Sequence, residues 1–189
     1  MKMLHRRLVL LLPLGVAGVA GVSLYSMLDR MRAGKFDPRG VPSALVGKRV
    51  PDFVLPGLRD GLRDGPGFGS ADLAAFGRPV LLNFFASWCV PCVAEASVLL
   101  ALKQSGQPVF GVAYKDKPEA TDAFLLQHGN PYIRIGRDAP GSVAIDFGLY
   151  GVPETYLIDT VGIVRGRWAG ALTADIVRHE LMPLLKTLA

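Results

Sequence analysis

Reactive side chains are few in this 189-residue chain: there are two cysteines, Cys89 and Cys92, and both belong to a single C-x-x-C. None is left over for a structural disulfide framework, so the pair is present for reactivity or for metal. Histidine is almost as sparse, with His5, His128 and His179. A closed zinc site needs four ligands, and His5 lies before a long apolar run; a Cys2His2 site would draw on two distant histidines without the short spacing such sites show. Residue 93 is Val rather than His, which excludes covalent c-type haem attachment at this pair. A basic excess is also missing from most of the chain. Residues 1–35 hold six Lys or Arg against one acid, while residues 36–189 hold fifteen of each sign. The folded part therefore carries no footprint for nucleic acid.

The last absence is of charge itself. Residues 8–28 contain none, and at 1.5 Å rise per residue such a run covers a hydrocarbon core of about 30 Å. The expectation is a single transmembrane signal-anchor at 8–28, with 1–7 on the cytoplasmic side, a Gly- and Pro-rich linker at 29–46 and one domain at 47–189. The competing readings are a buried core helix and a cleaved signal peptide, whose apolar region is usually about 7–15 residues. Lys2, Arg6 and Arg7 on one side are balanced by Arg30, Arg32, Lys35 and Arg39 on the other, so orientation has to come from chemistry rather than charge.

Within the domain, residues 52–55 read as a short strand, and LRDGLRDG at 58–65 supplies two Asp-Gly turn signals for a hairpin. The run RPVLLNFFA at 78–86 is the continuous apolar stretch of a strand covered on both faces. Residues 90–104 read as a helix and 108–114 as a second buried strand, which completes a β-α-β unit. Then come a helix at 118–128 stopped by Gly129, an extended piece at 132–135, a short helix at 142–147, and two strands at hairpin spacing, 154–159 and 163–168. Thr173 caps a last helix that Pro183 should bend or interrupt. A parallel half followed by a hairpin and helix predicts an α/β, thioredoxin-like fold: a central mixed sheet flanked by helices, with an N-terminal extension and the single N-terminal transmembrane helix.

A C-x-x-C where a strand ends and a helix begins places its first cysteine beside unsatisfied N–H groups and the positive end of the helix dipole, which stabilises a thiolate. Cys89 is thus expected to be the exposed nucleophile, with Cys92 facing the core and resolving the mixed disulfide. Pro91 suits the first helical turn because its missing N–H costs no intrahelical bond, and Trp88 can cover the apolar flank of the site. A peroxidase is the rival suggested by GKRVPDFVL at 47–55, which resembles the opening of peroxiredoxins. That family's peroxidatic cysteine follows a Thr three residues earlier, and the position here is Ala86.

WCVPC at 88–92, YKD at 114–116, GNPY at 129–132 and YGVPETYLID at 150–159 together resemble the CcmG/DsbE family of cytochrome c biogenesis oxidoreductases, from about Gly47 to the end of the chain. The resemblance implies a protein-disulfide reductase that works by thiol:disulfide interchange with no cofactor beyond the Cys89–Cys92 couple and no metal. It implies a periplasmic, single-pass inner-membrane protein. Its partners would be a transmembrane thiol reductant of the DsbD/CcdA kind, and apocytochrome c or a cytochrome-maturation thiol protein. Pro153 would be the cis-proline facing the dithiol, although an isolated Val-Pro reads as an ordinary trans turn.

Glu154 and Glu95 resemble the family's active-site acids, against the plain alternative of solvated charges. Carboxylates near Cys89 would disfavour its thiolate and make the disulfide form relatively stable. Thioredoxins carry a buried Asp six residues before the first cysteine; Asn83 stands there, which leaves Glu95 as the candidate proton acceptor for Cys92. Two positions depart from the family pattern, Ala113 where Asn is usual and Trp168 where His is common. A general envelope thioredoxin and a redox-inactive docking module remain the alternative functions.

Overall fold

The computed structural model describes residues 2–32, 43–58 and 67–188. The expected hairpin at 58–65 and most of the expected linker lie outside the described residues. The chain divides into two units, residues 1–41 and 42–189. In the first, α1 runs Lys2–Arg32 with Pro13 inside it, and Val16, Val19, Val22 and Leu24 are exposed. Among the described residues no helix is long and apolar enough to cross a membrane.

In the second unit a five-stranded sheet organises everything else. It contains β3 (Val80–Phe85), β4 (Val109–Tyr114), β5 (Arg134–Asp138), β6 (Glu154–Ile158) and β7 (Val164–Ala169), in the order β5-β4-β3-β6-β7. β3, β4 and β5 are parallel, β6 runs antiparallel to β3, and β7, antiparallel to β6, returns to the direction of the first three. A two-stranded ribbon, β1 (Val54–Leu55) with β2 (Phe68–Gly69), forms the N-terminal extension. Helix α2 (Ser70–Ala74) follows it.

Side chains alternate across a strand, so β3 divides the core. Leu81 and Phe85 face α3 (Val90–Gln104), α4 (Pro118–His128) and the C-terminal helix, in a cluster with Leu99, Leu102, Phe124 and Leu181. Val80, Leu82 and Phe84 face the other way, onto Phe53, Phe68, Leu73 and Phe147, under the ribbon, α2 and α5 (Ser142–Asp146). A central strand covered on both faces has to be apolar at every position, and the one polar residue in β3 is Asn83, with no exposed surface.

Helix boundaries follow local rules. Gly129 ends α4 at φ 87°, where a side chain would be strained. Thr173 Oγ1 accepts the Ile176 N–H at 3.2 Å and caps α6 (Ala174–Ile176). Around Pro183 the last helix departs from regular α geometry, as its proline leads one to expect, but it does not stop. A π-helical stretch at Val177–Leu181 precedes α7 (Met182–Lys186), and the Met182 N–H donates to the Val177 carbonyl. Shifting the ladder to the fifth residue back lets the chain stay helical around a proline that cannot donate.

Gly111 lies beside Asn83 in the β3–β4 ladder, and a Cβ there would fall 2.7 Å from Cγ of Tyr132. Gly111→Ala should therefore push Tyr132 off its 4.5 Å stack with Phe85 and cost roughly 1–3 kcal/mol, the usual range for overpacking. Urea denaturation checks this; an unchanged midpoint would mean that the contact relaxes without effect.

Candidate active site

The site is built where β3 ends. After Phe85 the chain turns through 86–88 into α3, with Cys89 as its N-cap in extended conformation and Pro91 in the first turn. Cys89 Sγ accepts the Cys92 N–H at 3.2 Å, so the sulfur occupies the place where a helix start offers unsatisfied donors. The two cysteines are joined in a disulfide with Cα atoms 5.3 Å apart. The expected difference in exposure is not present in this state: Cys89 is 3% and Cys92 2% exposed. What distinguishes Cys89 is its place at the helix start.

Trp88 projects from this turn, 57% exposed, with its indole N–H 3.5 Å from the Lys115 carbonyl and its ring 6.4 Å from Tyr114. The YKD segment supplies the other side of the mount. Asp116 accepts from Ser87 N at 2.6 Å, Ser87 Oγ at 2.8 Å, Thr121 Oγ1 at 2.9 Å and its neighbour Lys117 N at 2.9 Å. Both carboxylate oxygens are thus committed to holding the residue two before Cys89 and the start of α4.

Glu95 lies three residues after Cys92, which puts both on one face of α3, and that face is the inner one. Its side chain has no exposed surface. Oε1 accepts from Asn83 Nδ2 at 3.0 Å and Oε2 from the Leu172 backbone N–H at 2.9 Å. Among the described residues no cation pairs with it. Burial pushes its pKa up to about 7, and the Leu172 and Asn83 donors restrain the rise.

Asn83 also donates to Thr155 Oγ1 at 3.0 Å, and its Oδ1 accepts from the Tyr132 hydroxyl at 2.8 Å. Burial, then the Glu95 charge, raise the Tyr132 phenol well above its ordinary value. Asn83, Thr155 and Tyr132 enter the site from three different segments. The signal for Asn83 was available in the sequence, as a lone polar residue in an apolar strand.

Pro153 precedes β6, and the Val152–Pro153 peptide is cis, the geometry that the family resemblance implies. Its carbonyl accepts from Gly170 N at 2.9 Å, and Val152 packs against the cluster that holds the cysteines. Glu154 is placed differently from Glu95. It is paired with Phe84 across β3–β6, whereas Thr155 is paired with Asn83, so Glu154 points to the sheet face opposite α3. There it forms a buried ion pair with Arg167 Nε at 2.6 Å, accepts from the Tyr156 hydroxyl, and lies 3.4 Å from Tyr150 N. The exposed Tyr150 ring lies 4.8 Å from the Arg167 guanidinium. The two acids expected beside the dithiol are thus on opposite faces of the sheet, and one has its own counter-ion.

Of the two departures from the family pattern, Trp168 donates its indole N–H to Glu180 Oε2 at 2.8 Å and ties β7 to the C-terminal helix, while Ala113 is buried in β4 on the α3 side.

The sequence pattern of the AhpC/TSA family matches residues 46–167. The chain is 42% identical over 180 residues to the thiol:disulfide interchange protein DsbE of Escherichia coli strain K12, covering 95% of this chain and 94% of that one. It is 40% identical over 175 residues to the thiol:disulfide interchange protein HelX of Rhodobacter capsulatus, at 92% and 93% coverage. The chain belongs to the DsbE/HelX family of thiol:disulfide interchange proteins. Its likeness to the solved structure of MTB DsbF, at 28% identity and TM-score 0.58, covers 72% of this chain and 95% of that one. A thioredoxin-family interchange protein of Chlorobium tepidum, at 23% identity and TM-score 0.57, covers 74% and 94% and shares the fold. Like its DsbE/HelX relatives, the chain is a protein-disulfide reductase acting by thiol:disulfide interchange. The peroxiredoxin-like opening agrees with the AhpC/TSA match, while the chemistry follows the C-x-x-C.

Two outcomes are expected. The folded pKa of Glu95, about 7, lies above the 4.5 of an ordinary glutamate, so the folded chain binds this proton more tightly than the unfolded one. Stability should fall as pH rises between these values, by on the order of 3 kcal/mol in total, and stay lost above the upper one. Glu95→Gln should remove that loss, so its stability relative to wild type should increase between about pH 5 and pH 8. Equal pH dependence in the two proteins would contradict the burial argument.

In glutathione equilibration Glu95→Gln should make the dithiol couple more oxidising, by up to roughly 30 mV for a tenfold change in equilibrium constant. Glu154→Gln, acting on the far face beside Arg167, should change it much less. Equal shifts would mean that both charges reach the sulfurs.

Proposed function

We propose that the chain is a periplasmic reductase of cytochrome c maturation, held at a bacterial inner membrane by residues 8–28. It would receive electrons from a transmembrane thiol reductant and pass them to disulfides in apocytochrome c or in a partner thiol protein. The observation that carries this reading is the combination, on one helix, of an N-capping Cys89 and a buried Glu95 one turn beyond Cys92. The helix start favours the thiolate needed for attack, and a carboxylate close by limits that advantage, so the reduced pair gives up its electrons readily. The cytochrome substrate is supported by the WCVPC, GNPY and GVPET segments and by about 40% identity to DsbE and HelX over nearly the whole chain. Anchoring is supported by the uncharged run at 8–28 and by the apolar side chains that α1 exposes.

In the reaction the Cys89 thiolate attacks one sulfur of the substrate disulfide. A bond forms between Cys89 Sγ and that sulfur, the substrate S–S bond breaks, and the other substrate sulfur leaves as a thiolate and takes a proton. Cys92 then loses its proton to Glu95, and its thiolate attacks Cys89 Sγ. The Cys89–Cys92 bond forms, the mixed disulfide breaks, and the second substrate sulfur leaves as a thiolate. Two electrons have moved from the dithiol to the substrate. The Glu95 oxygens each accept one N–H bond and keep lone pairs free for this proton. Trp88 and Val90, exposed on either side of Cys89 in the chain, offer an apolar rim for the substrate chain.

Cys92→Ser should stall the reaction after the first step and hold the partner on Cys89. Non-reducing gels of envelope fractions should show an adduct containing apocytochrome c or a maturation thiol protein, absent from Cys89→Ser. Adducts with unrelated envelope proteins, together with intact cytochrome c in a deletion strain, would instead favour a general envelope reductase.

A further inference from the structure

We propose that Tyr132 is a positioning residue for the Glu95 carboxyl, acting through the side-chain amide of Asn83. The route exists because of Gly111. In the β3–β4 ladder Gly111 is the neighbour of Asn83, and the side chain it lacks would occupy the space taken by the Tyr132 ring. The phenol passes over β4 through that gap, stacked on Phe85, and donates to Asn83 Oδ1. Asn130 Oδ1 holds the Tyr132 N–H at 2.9 Å, which gives the GNPY segment a definite task.

The consequence lies in how an amide can be oriented. Its oxygen and nitrogen ends have nearly the same shape, so only the partners decide which faces Glu95. Thr155 offers a hydroxyl, which can accept or donate and is indifferent to the choice. Tyr132 is not indifferent. With the amide as found, its hydroxyl proton goes to Oδ1 and both Nδ2 protons are used, one on Glu95 and one on Thr155. With the amide turned over, the phenol would have to accept from Nδ2, and its own proton would be left buried without an acceptor, at the cost of an unmade hydrogen bond.

Tyr132 therefore keeps an N–H donor aimed at Oε1. An N–H donor favours the carboxylate, whereas the turned amide would present a carbonyl oxygen that only the protonated acid could satisfy. Among the described residues the titratable group that acts on Glu95 across the packing is Tyr132, from the segment before β5, and the cysteines of its own helix are joined in the disulfide. Glu180 on the C-terminal helix is exposed and bonded to Trp168. The charged ends of Glu154 and Arg167 lie across the sheet.

The test uses the full-length oxidised chain with carbon-13 in the glutamate carboxyls, followed by NMR against pH, with Glu95→Gln to assign the signal. Tyr132→Phe should move the Glu95 titration upward by about half a unit, a roughly threefold change in proton affinity. An unmoved or lowered midpoint would overturn the proposal. A second measurement needs no variant at position 132: in wild type the Asn83 side-chain amide protons should exchange slowly and shift in step with the Glu95 titration. An amide that ignores that titration would overturn the proposal even if Tyr132→Phe fails to fold. The link to catalysis rests on the reading of Glu95 as acceptor for Cys92. A raised Glu95 midpoint with an unmoved pH profile of disulfide reduction would support the relay and overturn that reading instead.

Discussion

A carboxyl group without exposed surface, placed one helical turn beyond Cys92, is the constraint around which the rest of the second unit is arranged. Burying a carboxylate is costly unless donors answer it, and Glu95 is answered from outside its own helix on both oxygens: by β3 through Asn83 and by the backbone after β7 through Leu172. Those two donors join α3 to both halves of the fold, the parallel β-α-β half and the C-terminal hairpin. The same donors determine its chemistry. Without them burial would hold the group as a neutral acid; with them it stands at about 7, where a group can both take and release a proton at neutral pH.

The sheet separates this group from the second acid. Adjacent residues of a strand point to opposite faces, so Thr155 joins the Asn83 network while Glu154 joins Arg167 and Tyr156. Breaking one partner of a buried pair leaves an uncompensated charge, and this pair sits directly after the cis-proline with Tyr150 over its cation. Glu154 and Arg167 thus tie β6 to β7 on the face away from α3, whereas Asp116 holds the turn before Cys89 through Ser87.

Most of the sheet was legible because it rests on local rules. The apolar run at 80–85, the turn into α3, Gly129 and the Thr173 cap each follow from residues close in sequence, and the relation of C-x-x-C to a helix start does too. What was not legible depends on register. The face on which Glu154 lies is decided by its pairing with Phe84, which no neighbouring residue reveals. The Asn83–Tyr132 bond spans 49 positions and exists only because Gly111 is unsubstituted in the strand between. Pro183 announces an irregularity in the last helix, but that it takes the form of a π-helical stretch rather than a break depends on the ladder shift to the Val177 carbonyl. The exposure of Cys89 was inferred for a free thiol, while here its sulfur is bonded to Cys92.

In the proposed mechanism Glu95 receives the Cys92 proton when the mixed disulfide resolves. The most direct measurement is single-turnover release from a mixed disulfide on Cys89, prepared with a chromophoric thiol and followed across pH in wild type and Glu95→Gln. Wild-type release should rise with pH through a midpoint near 7, the value to which burial pushes Glu95, and the variant should be slower and lack this inflection. Equal rates with the same pH profile in both proteins would contradict it.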